Sequence, residues 1–137
     1  MKVLVATDGS DHSMKAVQRG LELAEKEGAQ VTLMSVAYYV QGFMSGMPPN
    51  TQEKLEDEAR AALKKAKALF DAKNLAVETV MEAGLVPANL IIAKAQDGKF
   101  DRIVIGSTGQ NALEKIFMGS TAAKVVAHAP CEVTVVR

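Results

Sequence analysis

Apolar positions in this chain follow two regimes. Short unbroken apolar runs, each closed by turn residues, alternate with stretches where apolar residues return every three or four positions. Lys2 to Ala6 (KVLVA) is a run of the first kind, followed by Thr7-Asp8-Gly9-Ser10. That predicts a strand buried on both faces and then a turn. Met14, Val17, Leu21 and Ala24 follow at helical spacing. Ser10 is placed to cap that helix, Asp11 sits near its positive dipole end, and Gly28 supplies a stop. Val31 to Val36 (VTLMSV) reads as a second strand. Tyr38 to Asn50 carries two Gly and two Pro without periodicity and reads as a loop.

Thr51 to Lys73 is the clearest helix, with Leu55, Ala59, Leu63, Ala66 and Phe70 as its apolar stripe. Glu53, Glu56, Asp57 and Glu58 crowd its start, and Lys64, Lys65 and Lys67 lie in its second half. This polarity complements the helix dipole, Glu56 and Arg60 form an i,i+4 pair, and a solvated face is the simplest reading of the charge run. Further on, Ala76–Met81 predicts a strand, Pro87–Ala95 a short helix, Arg102–Ile105 a strand, Gly119–Ala127 a helix and Glu132–Val136 a last strand.

Strands that alternate with helices imply a parallel sheet covered on both faces. With five strands in the order 3-2-1-4-5, the first and fourth lie side by side where the order reverses. Ligands of open parallel sheets bind beyond the strand ends at such a point. The two most unusual loops follow those two strands. One is Thr7–Ser10. The other is Gly106-Ser107-Thr108-Gly109, with Gly119-Ser120-Thr121 ten residues further on. Gly106 and Gly109 let backbone amides approach an anion without a Cβ in the way. Gly119-Ser120-Thr121 opens a helix, whose free N–H groups and dipole favour phosphate. Punctuation explains the same residues, with Gly106 ending a strand and Ser120 capping a helix, and both readings stand at this level.

Composition narrows the function classes. The 137 residues suit one domain spanning 1–137. Sixteen basic residues balance sixteen acidic ones, so no net field favours nucleic acid or an anionic membrane. No apolar run approaches the ~20 residues that span a bilayer. The five apolar residues near the start are too short for a signal peptide. A single cysteine makes no internal disulfide and fits a reducing cytoplasm, and two His with one Cys make a structural zinc site improbable.

The segment Gly106-x2-Gly109-x9-Gly119-Ser120, the opening VLVATDGS and the ending HAPCEVTVVR are similar to the universal stress protein family, in its nucleotide-binding subgroup. The resemblance covers the whole chain and implies an adenine nucleotide alpha hydrolase-like, Rossmann-like fold. It implies ATP as ligand, with Mg²⁺ arriving on the phosphates and no metal held by the protein alone. Carried over, Asp8 and Val36 lie by the adenine, and Ala6, Thr7 and Ile105 add backbone or walls. Gly106, Thr108, Gly109, Gly119, Ser120 and Thr121 surround ribose and phosphates. Family members often have a basic residue where this chain has Thr108, a neutral donor, which keeps ADP and AMP beside ATP as candidates. Lys115 is nearby in sequence and is most simply solvent-facing.

Other residues carry paired readings. Asp8 is a ligand group or the anchor of an Asx turn. His12 reads as a first-turn residue and His128 as a favourable cation at a helix end. Cys131 reads as a buried inert thiol, since no basic neighbour adjoins it. Phe43, Met44 and Met47, within the Gly42–Pro49 loop, read as a lid, a partner contact or plain surface. No G-x4-G-K-[ST] loop, receiver-type acidic set or nucleophile triad is present, so a dedicated catalyst is not expected. The expectation is an adenine-nucleotide-binding regulator of the stress response. A non-nucleotide interaction module and a slow ATPase are the alternatives. The exposed edge expected of Glu132–Val136 predicts a homodimer, as does the resemblance, and nothing in the sequence names a protein partner.

Overall fold

The computed structural model describes residues 1–39, 48, 50–108 and 118–137. Its elements are β1 (Lys2–Ala6), α1 (Asp11–Glu27), β2 (Gln30–Tyr38), α2 (Thr51–Asp71), β3 (Glu78–Gly84), α3 (Pro87–Asp97), β4 (Arg102–Gly106), α4 (Ser120–His128) and β5 (Glu132–Val136). The five strands form one sheet in the order β3-β2-β1-β4-β5. Every pairing is parallel, with Val5 opposite both Leu33 and Val104. The expected strand order and direction are therefore present.

Alternation along each strand divides the core into two layers. Val3, Val5, Val31, Leu33 and Val104 face α1 and α2, where Val17, Leu21, Leu63 and Phe70 meet them. Leu4, Ala6, Met34, Ile103 and Ile105 face α3 and α4, where Ala88, Ile91, Ala122 and Val125 meet them. This is why the central strands read as continuous apolar runs: both of their faces are covered. Each fully buried Val, Leu or Ile contributes about 1.5–3 kcal/mol relative to exposure.

Local chemistry sets the helix ends. Ser10 is extended, and its Oγ accepts the Ser13 N–H at 3.2 Å, capping α1 as expected. Gly28 closes the same helix in the left-handed conformation at φ +68°. Between them, Gly20 lets α1 cross β1 closely. A Cβ there would lie 2.6 Å from Val5 Cγ2.

Some boundaries differ from the pattern-based expectation. β2 continues past Val36 to Tyr38, and β3 occupies Glu78–Gly84 rather than Ala76–Met81. The backbone ladder carries both strands on, ending at Tyr38 opposite Gly84. β3 is an edge strand with its residues exposed or half-buried, so apolar runs are a poor guide to its ends. α3 extends to Asp97 and α2 stops at Asp71. α4 starts at Ser120, with Gly119 rather than Ser120 in the capping position. Among the described residues, no helix is long and apolar enough to cross a membrane.

Candidate functional site

β1 and β4 are neighbours, yet the chain leaves them toward opposite layers, to α1 on one side and α4 on the other. The two departing loops open a crevice at the C-terminal end of the sheet. A cleft of about 760 Å³ occupies it, a size typical of small-molecule sites.

A dense set of short bonds holds the β1–α1 loop. Thr7 Oγ1 and Ser13 Oγ are 2.8 Å apart, and both side chains are buried. Ser13 Oγ also accepts the Asp8 N–H at 3.2 Å, and Thr7 Oγ1 accepts the Gly9 N–H at 3.1 Å. Asp8 Oδ1 accepts the Ser10 N–H at 2.9 Å, which is an Asx turn. Lys65 Nζ, from α2, donates to the Gly9 carbonyl at 3.1 Å. Gly9 itself has φ +83°, a conformation other residues rarely adopt. The N–H groups of Asp8, Gly9 and Ser10 are thus committed within the loop. Asp8 lines the cleft and anchors the turn at once.

The opposite wall is richer in hydroxyls. Ser107, Thr108, Ser120 and Thr121 all line the cleft. The Gly119 N–H donates to the Ser107 carbonyl at 2.6 Å, which draws the start of α4 against the end of β4. Among the described residues no side chain caps α4, and its first turn has the donor character of a helix N-terminus. Thr108 Oγ1 is enclosed and, among the described residues, has no hydrogen-bond partner.

Gly106 also has a packing role that the sequence did not show. Its missing side chain leaves room for α1, since a Cβ there would lie 3.0 Å from the His12 carbonyl oxygen. The glycine is needed for helix packing, while its backbone lines the cleft.

The structure brings Ala6, Thr7, Asp8, Val36, Ile105, Gly106, Thr108, Gly119, Ser120 and Thr121 to this one cleft. Gly109, Lys115 and the Gly42–Met47 and Pro49 positions lie outside the described residues. Sequence reasoning missed Ser13, Leu55, Glu58 and Ala59, which also line it. Leu55 and Ala59 are legible as the apolar stripe of α2. That the first turns of this helix overhang the strand ends depends on the tertiary packing. Cys131, outside the cleft, is half-buried rather than buried. Burial, with Asp101 and Glu132 nearby, pushes its thiol above the usual range despite an opposing backbone hydrogen bond at Ile103.

The model of the universal stress protein family matches residues 1–137. The chain belongs to this family. A universal stress protein of Methanocaldococcus jannaschii, MJ0531, is 36% identical over 139 residues, covering 99% of this chain and 81% of the relative. The Bacillus subtilis universal stress protein YxiE is 33% identical over 146 residues, covering 99% of this chain and 98% of the relative. Among solved structures, the universal stress protein UspA of Lactobacillus plantarum superposes with a TM-score of 0.74 at 27% identity, over 100% of this chain and 97% of that one. A universal stress protein solved in complex with cAMP gives 0.76 at 24% identity, over 100% and 97%. The Archaeoglobus fulgidus universal stress protein in complex with dAMP gives 0.75 at 23% identity, over 100% and 98%. This universal stress protein thus shares its α/β architecture with relatives along its whole length.

Proposed function

We propose that this universal stress protein is an adenine-nucleotide-binding regulatory protein of the stress response, resident in the cytoplasm. One observation carries the reading. The cleft at the strand-order reversal joins apolar walls at Val36 and Ile105 to hydroxyls beside the start of α4. An apolar wall suits a flat base, and neutral donors at a helix N-terminus suit phosphate. The solved neighbours holding cAMP and dAMP support it. In this reading Asp8 and Val36 flank the adenine, while Ala6, Thr7 and Ile105 form walls. Gly106, Thr108, Gly109, Gly119, Ser120 and Thr121 surround ribose and phosphates. ATP, ADP and AMP are the candidate ligands, and Mg²⁺ would accompany the longer phosphate chains. A partner that prefers the occupied cleft over the empty one would read the nucleotide state.

Calorimetric titration of nucleotide-free protein with ATP, ADP and AMP tests this. Saturable binding that Gly109→Val abolishes in folded protein is the expected result. No binding of any of the three rejects the reading.

The same proposal includes a homodimer. β5 ends the sheet and pairs only with β4 among the described residues, leaving one backbone edge open. Such an edge pairs readily with its own copy about a two-fold axis.

A further inference from the structure

β2 does not stop where its apolar run does. The ladder with β3 carries it past Val36 to Tyr38, opposite Gly84. Met34 and Val36 belong to the layer of α3 and α4, and alternation along the strand puts Tyr38 in the same row. Gly84 points the same way, since a Cβ on it would meet Leu90 of α3. All three members of the row line the cleft. Met34 is fully buried, Val36 is half-buried and Tyr38 is 54% exposed, so the row climbs from the core to the mouth of the cleft.

A large ring left half in water at a cleft mouth has apolar surface still to bury. The backbone beneath it is held from two sides. The Tyr38 carbonyl accepts from Gln52 Nε2 of α2 at 3.1 Å, and the N–H of the next residue, Tyr39, donates to the Gly84 carbonyl at 2.9 Å. A tyrosine side chain has only two torsions, so ordering it against a flat ligand costs little entropy. Residues two apart on one face of a strand are roughly 6.6 Å apart, so one purine reaches from Val36 to Tyr38. We infer that Tyr38 stacks on the purine of the bound nucleotide. This inference rests on the adenine-nucleotide reading above and adds a base-binding residue outside the positions that the family resemblance carries over.

The chain has two tyrosines and no tryptophan, so its near-ultraviolet emission comes from Tyr38 and Tyr39. Tyr39 lies outside the cleft lining. The test titrates AMP into nucleotide-free protein and reads heat and tyrosine fluorescence together. In Tyr39→Phe, where Tyr38 is the only emitter, AMP should quench the emission over the same concentrations that give binding heat. In Tyr38→Phe the remaining emission should stay nearly unchanged. Tyr38→Ala should weaken AMP binding roughly tenfold, as loss of one base–aromatic stack does, and Tyr38→Phe should recover most of that because it keeps the ring. AMP that binds Tyr39→Phe without quenching, or binds Tyr38→Ala as tightly as the parent, overturns the inference and leaves the adenine-nucleotide reading standing. A loss in Tyr38→Ala that Tyr38→Phe does not recover assigns the contact to the hydroxyl and overturns stacking. No binding of AMP to the parent protein overturns both readings.

Discussion

A Cβ built on Gly106 would lie 3.0 Å from the carbonyl oxygen of His12 and 3.3 Å from the Cα of Ser13. The end of β4 and the first turn of α1 therefore touch backbone to backbone. The loop after β1 cannot move away from the loop after β4 without breaking this contact, so one glycine fixes the width of the crevice between them. Gly106→Ala should destabilise the protein by about 1–3 kcal/mol, as overpacking against backbone does, and weaken nucleotide binding by shifting the start of α1. Urea denaturation measures the first effect. Unchanged stability would mean that this contact is looser than the geometry gives.

Ser13 is the hub of the β1–α1 loop. Its hydroxyl lies 2.8 Å from Thr7 Oγ1, accepts the Asp8 N–H and donates to the Ser10 carbonyl at 3.1 Å. Ser13→Ala would take the Ser13 Oγ acceptor from the part-buried Asp8 N–H and one of the contacts of Thr7 Oγ1. A loss of about 1–3 kcal/mol is expected. The loop that presents Asp8 to the cleft loosens at the same time. Affinity for AMP should therefore fall by more than it does in a control carrying an equally destabilising core substitution, Val17→Ala. Equal affinity losses in the two variants would reduce Ser13 to a purely structural role.

Much of this was legible in the sequence, and the exceptions have physical causes. Apolar runs marked β1, β2 and β4 because both faces of these strands are buried, and β5 kept a legible apolar run although it is a half-buried edge strand. Glycines and hydroxyls marked the two loops that meet at the cleft. The extent of β3 was not legible, since an edge strand with Glu78 and Glu82 has no apolar run to follow. Glu58 read as part of a solvated charge run, and only the packing of α2 over the strand ends brings it to the cleft. Gly106 was legible as special, but its packing against the first turn of α1 was not. Sequence shows that a Cβ is missing and not which atom fills the space.

Thr108 offers a direct way to alter the ligand preference. The family resemblance implies that a basic residue often stands at this position, and this chain has a neutral one. Thr108→Lys should raise ATP affinity about tenfold and AMP affinity less, since the new cation meets more charge on the triphosphate. Titration in EDTA at two salt concentrations checks it. A gain that persists unchanged at high salt would not be electrostatic in origin.

Cys131 should be a slow nucleophile. Burial and the carboxylates of Asp101 and Glu132 raise its thiol above the ordinary range, so less thiolate forms at any given pH. Its alkylation rate should rise with pH along a curve displaced to higher pH than that of a free cysteine. Asp101→Asn removes one of the smaller causes and should move the curve part of the way back. Fast alkylation near neutral pH would contradict this environment.

The edge of β5 gives the last prediction. Val133 and Val135 pack partly against the layer of α3 and α4, opposite Ile103 and Ile105 on β4. The other backbone edge of the strand is open among the described residues. If two copies join along that edge, a lysine at Val135 brings a like charge from each copy toward the two-fold axis. Val135→Lys should sediment as a monomer at micromolar concentration where the parent is a dimer. The substitution also removes a partly buried valine, so far-UV circular dichroism and urea denaturation must show the fold intact at the temperature used. Val133→Pro provides a second variant: the Val136 carbonyl accepts from Ser107 of the β4 side, so by strand alternation the Val133 N–H faces the open edge, and proline removes that donor. Dimers that persist in both folded variants would place the interface elsewhere, and monomers in the parent protein would rule out edge pairing altogether.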